Sequence, residues 1–134
     1  SVGVGRTMLA LLTDGLSREI SNEGKERVVL KIKPSLAPIK LAIFPLIKNN
    51  PEIYKAAVEI YKQLSMEFAT DWDDNGNIGK RYRRQDEIGT PCCVTVDYQT
   101  LEDATFTVRD RDTMEQKRMG VEALKQTMHN LLRN

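Results

Sequence analysis

The sequence is poor in the side chains that most often hold metals or attack substrates. It has a single histidine, His129, and two cysteines, the neighbours Cys92 and Cys93. Adjacent strand residues point to opposite faces, so these thiols cannot easily pair with each other, and His129 is far from both in sequence. A zinc site or a Cys-His catalytic pair therefore has little material, no metal site is expected, and the cysteine usage suits a reducing compartment. Also missing are GxSxG, GxxxxGK[ST] and HExxH, so no local motif carries chemistry alone. No apolar run approaches the roughly 20 residues needed to cross a bilayer, and the N-terminus lacks a charged region followed by an apolar one. A cytoplasmic protein with no membrane partner is the expectation.

The 134 residues have room for one core, or for one domain plus a fragment of a neighbour, and the hydrophobic fraction of 40% is ordinary for a globular protein. There is no internal repeat. Ser1 to Leu12 reads as a strand or turn around Gly3 and Gly5, then Arg6, then a helical run with Met8, Leu11 and Leu12 on one face. The abrupt start without methionine leads us to expect a piece of a longer protein. Val28, Val29, Leu30 and Ile32 form a short apolar stretch before PSLAP, whose two prolines suggest a domain boundary at Pro34. Ile39 to Ile47 is nearly all apolar, as in a strand buried on both faces, and Pro45 should end it. Asn50 can cap a helix with Pro51 at its first position, after which Ile53, Ala57, Ile60, Tyr61, Leu64 and Phe68 recur at helical spacing.

A short strand at Thr70 to Trp72 and the turn signal DDNGN lead into NIGKRYRRQDEIGTP. A helix from about Gly79 to Ile88 puts Ile78, Tyr82 and Gln85 on one side and Lys80, Arg83, Arg84 and Glu87 on the other, with Gly89 as a left-handed cap. Alternation predicts strands at Cys92 to Tyr98 and Ala104 to Arg109, joined by QTLED, then a reversal at DRDT and a strand at Met114 to Met119. The carboxylates of that reversal suit a turn better than an acid/base pair. A final helix from Gly120 carries Val121, Leu124, Met128, Leu131 and Leu132 on one stripe. The order predicts an α/β fold: a mixed sheet, parallel first and antiparallel later, flanked by helices.

The net charge of +1 hides a local concentration of cations. Lys80, Arg81, Arg83 and Arg84 crowd around Tyr82, and side chains three and four apart on a helix repel by a few tenths of a kcal/mol per pair. A polyanion would relieve that. Cations on phosphates supply affinity without sequence information, whereas a carboxylate such as Asp86 or Glu87 can accept a hydrogen bond from the N4 amino group of an unpaired cytosine. A solvated helix face, with the two carboxylates balancing charge locally, is the plain alternative.

Four segments go further: GVGRTMLALL, RVVLKIKPSLAPIKLAIFPL, NIGKRYRRQDEIGTPCCVTVDYQTLED and TVRDRDTMEQKRM. In this order they strongly resemble the C-terminal part of glycyl-tRNA synthetases of the dimeric, class II type. The resemblance implies that residues 1–33 are the end of a catalytic domain, with GVGR as the third class II signature motif and Arg6 as the arginine that contacts ATP. Residues 34–134 would be the anticodon-binding domain, a mixed five-stranded sheet flanked by three helices. The other two signature motifs are missing, so this chain alone should not aminoacylate and needs no cofactor. The whole protein, a homodimer, would use ATP and magnesium to join glycine to its tRNA. Glycine anticodons end in two cytosines, which gives Lys80, Arg81, Arg83 and Arg84 a phosphate role and Asp86 or Glu87 a base-reading role. The fold also resembles that of a mitochondrial DNA polymerase processivity subunit, although RRQDEIGTP and RDRDTMEQ favour the synthetase and no DNA partner is expected. A small-ligand α/β module is the third reading.

Overall fold

The computed structural model describes residues 16–20 and 26–133. Gly3, Gly5, Arg6 and the helix expected over Met8, Leu11 and Leu12 lie outside the described residues. Strands β1 (Leu16–Ile20) and β2 (Glu26–Leu30) pair antiparallel. A 3-10 turn at Pro34–Leu36 follows, and the Lys40 ammonium donates to the carbonyl oxygens of Pro34 (3.0 Å), Ser35 (3.0 Å) and Ala37 (2.6 Å), tying the turn to the next strand.

From there the chain runs β3 (Leu41–Pro45), α1 (Pro51–Ser65), β4 (Thr70–Trp72), α2 (Ile78–Ile88), β5 (Cys92–Val96), α3 (Tyr98–Asp103), β6 (Phe106–Asp110), β7 (Gln116–Met119) and α4 (Val121–Leu132). The strands form one mixed sheet in the order β4-β3-β5-β6-β7. Its first three are parallel and the rest antiparallel, as the alternation of elements predicts.

The two sides of the sheet are covered differently. Leu41, Ile43, Val94, Val96, Phe106 and Val108 meet α1 and α4 through Ile53, Ala57, Leu64, Leu124 and Met128. On the opposite face Ala42, Phe44 and Cys93 meet Ile78 and Tyr82 of α2. Both faces of β3 are therefore buried, which is why its sequence is continuously apolar instead of alternating. Cys92 and Cys93 fall on opposite faces; burial pushes the Cys92 thiol up to about 12 and raises that of Cys93 further, so neither is a thiolate near neutral pH.

The helix ends follow their expected chemistry. Asn50 accepts from the backbone N–H groups of Glu52 (3.0 Å) and Ile53 (3.1 Å), with Pro51 in the first turn of α1. Asn77 caps α2 through the Lys80 N–H at 2.9 Å, and Gly89 ends it in the left-handed region at φ 82°.

Two parts differ from expectation: the β1–β2 pair, because no strand was expected at Leu16–Ile20, and the connection after β5. The connection QTLED is not a plain loop but the helix α3, so the described residues hold four α-helices where three were expected. Six residues cannot display an apolar period, and the usable signal was the reciprocal cap of Asp97 and Thr100, three residues apart.

Asp97 also accepts both Nη groups of Arg118 from β7, the Nη1 contact being 2.9 Å. Arg118 chiefly, helped by the Thr100 backbone and hydroxyl, outweighs burial and holds the Asp97 carboxyl below its usual range. A depressed carboxylate stabilises the fold above its unfolded value, near pH 4, and loses that contribution as pH falls through the lower folded value. Asp97→Asn should therefore cost about 1.5–3 kcal/mol at neutral pH, and the gap to the parent should close as pH falls below about 4. Urea unfolding at stepped pH measures both.

Candidate nucleic-acid interface

Helix α2 lies on the sheet with its two long sides doing different work. Tyr82 points inward: its ring meets Phe44 edge-on at 5.2 Å and its hydroxyl pairs with Thr95 Oγ1 at 2.7 Å. Burial raises the Tyr82 phenol above its ordinary value, so it stays neutral. Gln85, also buried, donates to Asp71 Oδ2 at 2.9 Å and accepts from the Thr90 hydroxyl at 2.6 Å. The predicted inward residues Ile78, Tyr82 and Gln85 do face the sheet, but Arg81 and Asp86 join them.

The six charged residues singled out on this helix separate into three groups. Arg81 is buried at 4% exposure, where its guanidinium donates to the carbonyl oxygens of Pro45 and Gly76 and so ties α2 to the end of β3. Asp86, 3% exposed, faces Arg109 of β6 at 3.3 and 3.4 Å. Both therefore serve the interior rather than the surface, because each meets a specific partner from another strand.

Arg84 is intermediate. It grips Asp73 with two bonds, 2.7 and 2.8 Å, and donates to the Asn75 carbonyl oxygen at 2.6 Å, while its side chain stays 45% exposed. Burial alone would raise the Asp73 carboxyl, but Arg84 and the Asn75 N–H together hold it below the usual range. Lys80, Arg83 and Glu87 are exposed. Spaced at positions 80, 83, 84 and 87, these four line one stripe that spans roughly 10 Å along the helix.

Two contributors escaped the sequence reading. Alternation along Ala104 to Arg109 puts Arg109 on the same side as Thr105 and Thr107, and that side is the one under α2, where its guanidinium lies 4.6 Å from the Tyr82 ring centroid. The register that pairs Cys93 with Arg109 fixes this, and the shared face of Cys93, Thr95 and Arg109 was its signal. The second is the surface at the carboxyl ends of β3 and β5. From β3 the chain goes on to β4 on one side and from β5 it goes on to β6 on the other, a reversal at which open sheets commonly bind ligands. Leu46 N–H donates to the Val96 carbonyl oxygen at 2.8 Å there, and Leu46, Lys48 and Tyr98, which follow the two strands, are exposed, the last to 55%. Among the described residues, no cluster of His, Cys, Asp or Glu is placed to hold a metal ion, and no helix is long and apolar enough to cross a membrane.

A protein-family model described as "Anticodon binding domain" matches residues 40–131, which takes in the whole five-stranded sheet and its helices. The chain belongs to the anticodon-binding domain family. Its curated relatives include proteins named glycine-tRNA ligase. That of Borreliella afzelii (strain PKo) is 52% identical over 124 residues, 92% of this chain and 28% of that protein. Those of Alkaliphilus metalliredigens (strain QYMF) and Caldanaerobacter subterraneus subsp. tengcongensis are 50% identical over 125 residues and 48% over 133, covering 93% and 99% of this chain but 26% and 28% of theirs. The chain thus spans about a quarter of the length of these relatives. Within this anticodon-binding domain, the outer side of α2 presents exposed Lys80 and Arg83, the half-exposed Arg84 and the Glu87 carboxylate together.

Proposed function

We propose that this chain is the anticodon-recognition part of a longer glycine-tRNA ligase, and that the α2 stripe contacts the anticodon loop of glycine tRNA. The observation that carries the reading is the sorting of charge on α2: the matched domain keeps Lys80, Arg83 and Glu87 in solvent while Arg81 and Asp86 are spent inside. Lys80 and Arg83, with the outer part of Arg84, bind phosphates. Glu87, the exposed one of the two candidate carboxylates, accepts from a cytosine amino group. Tyr98, exposed after β5, offers a ring for an unstacked base.

In the longer protein, a cytoplasmic homodimer, ATP and magnesium activate glycine, and Arg6 contacts the ATP. Domain 34–134 supplies tRNA selection and domain 1–33 completes the catalytic part.

A titration of the chain with a glycine anticodon stem-loop tests the phosphate role. Each phosphate contact to a single strand contributes about 0.7 to the slope of log affinity against log salt, so Lys80→Ala with Arg83→Ala should flatten the slope by about 1.4. Primer-template DNA should bind more weakly at every salt concentration. Stronger DNA binding would instead support a polymerase accessory role, and a slope unchanged in the double variant would remove α2 from the interface.

A further inference from the structure

Helix α2 is fastened at both ends, and the fastening at its C-terminus reaches back across Pro34. Gly89 sits so close to the chain after β2 that a Cβ there would lie 2.8 Å from Ile32 Cγ2 and 3.0 Å from the Leu30 carbonyl oxygen. The guanidinium of Arg111, 3% exposed, spans the same junction. Its Nη1 donates to the carbonyl oxygens of Gly89 at 2.8 Å and Leu30 at 3.2 Å, while Nε and Nη2 donate to the Asp112 carboxylate at 2.9 and 3.0 Å. Asp112 is itself set by the turn after β6, its N–H donating to Asp110 Oδ1 at 2.8 Å. Arg111 N–H donates to the Pro91 carbonyl oxygen at 2.9 Å, which holds the same residue to the start of β5.

One cation thus joins three stretches far apart in sequence: the end of β2, the cap of α2 and the β6–β7 turn. The planar guanidinium can meet two carbonyls and a carboxylate at once, which a lysine ammonium cannot do with the same geometry. Ile32, 2% exposed, adds an apolar contact on Gly89, so the segment ahead of Pro34 cannot leave without exposing both.

We infer that Arg111 is a positioning residue that couples the state of helix α2 to the chain segment ahead of Pro34. A ligand that holds α2 in its docked shape holds Gly89, and through Arg111 it holds Leu30 and Ile32. Such coupling is reciprocal: the factor by which RNA stabilises the docked segment equals the factor by which docking raises RNA affinity. In the longer protein the same contact carries the occupancy of α2 towards the preceding domain. The inference rests on the RNA-binding reading of α2.

The test is backbone amide exchange across residues 30–32, with and without an RNA stem-loop carrying two adjacent unpaired cytosines. In the parent, RNA should slow this exchange about five- to tenfold, within the usual span of coupling. In Arg111→Lys the slowing should drop below about twofold while amides inside α2 still slow, and Ile32→Ala should lose RNA affinity by the parent's factor. RNA that slows α2 but leaves residues 30–32 unchanged, or full slowing retained in Arg111→Lys, would overturn the inference. If RNA does not bind, the functional reading fails by itself, and the coupling is decided without ligand. Arg111→Lys should then accelerate exchange at residues 30–32 and 88–90 together; acceleration confined to one group would overturn it.

Discussion

Replacing Arg109 by methionine should destabilise the domain by about 3–5 kcal/mol, the usual cost of removing one partner from a buried ion pair. Methionine approximates the volume but supplies no cation, so the Asp86 carboxylate, 3% exposed, loses the guanidinium 3.3 Å away. The Tyr82 ring loses the cation 4.6 Å from its centroid at the same time. Such a loss is a large share of the 5–15 kcal/mol that holds a domain of this size together. Adding Asp86→Asn should return part of it, because the amide costs less to bury than a carboxylate that has lost its guanidinium. Urea unfolding of parent, both single variants and the double variant gives the coupling energy. A loss below about 1 kcal/mol in Arg109→Met would mean that the pair, whose distances exceed the 2.7–2.9 Å of a good charge-assisted bond, adds nothing net.

Gly89→Ala is the second large effect, about 2–4 kcal/mol. Part is backbone strain, roughly 1–2 kcal/mol for an L side chain in the left-handed region, here at φ 82°. The rest comes from contact, because the new Cβ meets Ile32 Cγ2 at 2.8 Å and the Leu30 carbonyl oxygen at 3.0 Å. The Ile32 methyl can turn aside. The carbonyl belongs to backbone held by Arg111, so it cannot yield without loosening that bond. Gly76, also at positive φ (73°), has a nearest neighbour at 3.5 Å, the flexible Lys80 side chain. Gly76→Ala should therefore show the strain alone, and comparing the two melting temperatures separates strain from collision.

Much of this architecture was legible in the chain. The unbroken apolar run of β3 announced a strand covered on both sides, and Asn50-Pro51 and Gly89 announced helix ends, because each rests on chemistry within a few residues. The stripe on α2 was legible for the same reason: a period of 3.6 separates Ile78, Tyr82 and Gln85 from Lys80, Arg83 and Glu87. What sequence could not show was which charges are spent inside. Arg81 flanks the inward stripe and is drawn in by the Pro45 carbonyl 36 residues away, and Asp86 by Arg109 23 residues away. Counting cations near Tyr82 treats four as equivalent, whereas burial removes one and Asp73 half-occupies another. The period already set Glu87 on the outer side; that Asp86 is lost to the interior followed only once that packing was known.

The most direct test is discrimination by this chain between a glycine anticodon stem-loop and the same loop with its two cytosines replaced by uracil. The account predicts a preference for cytosine of about 1–3 kcal/mol, roughly 5- to 150-fold, that Glu87→Gln diminishes without changing the salt slope. Equal affinity for the two loops, or discrimination untouched in Glu87→Gln, would contradict it.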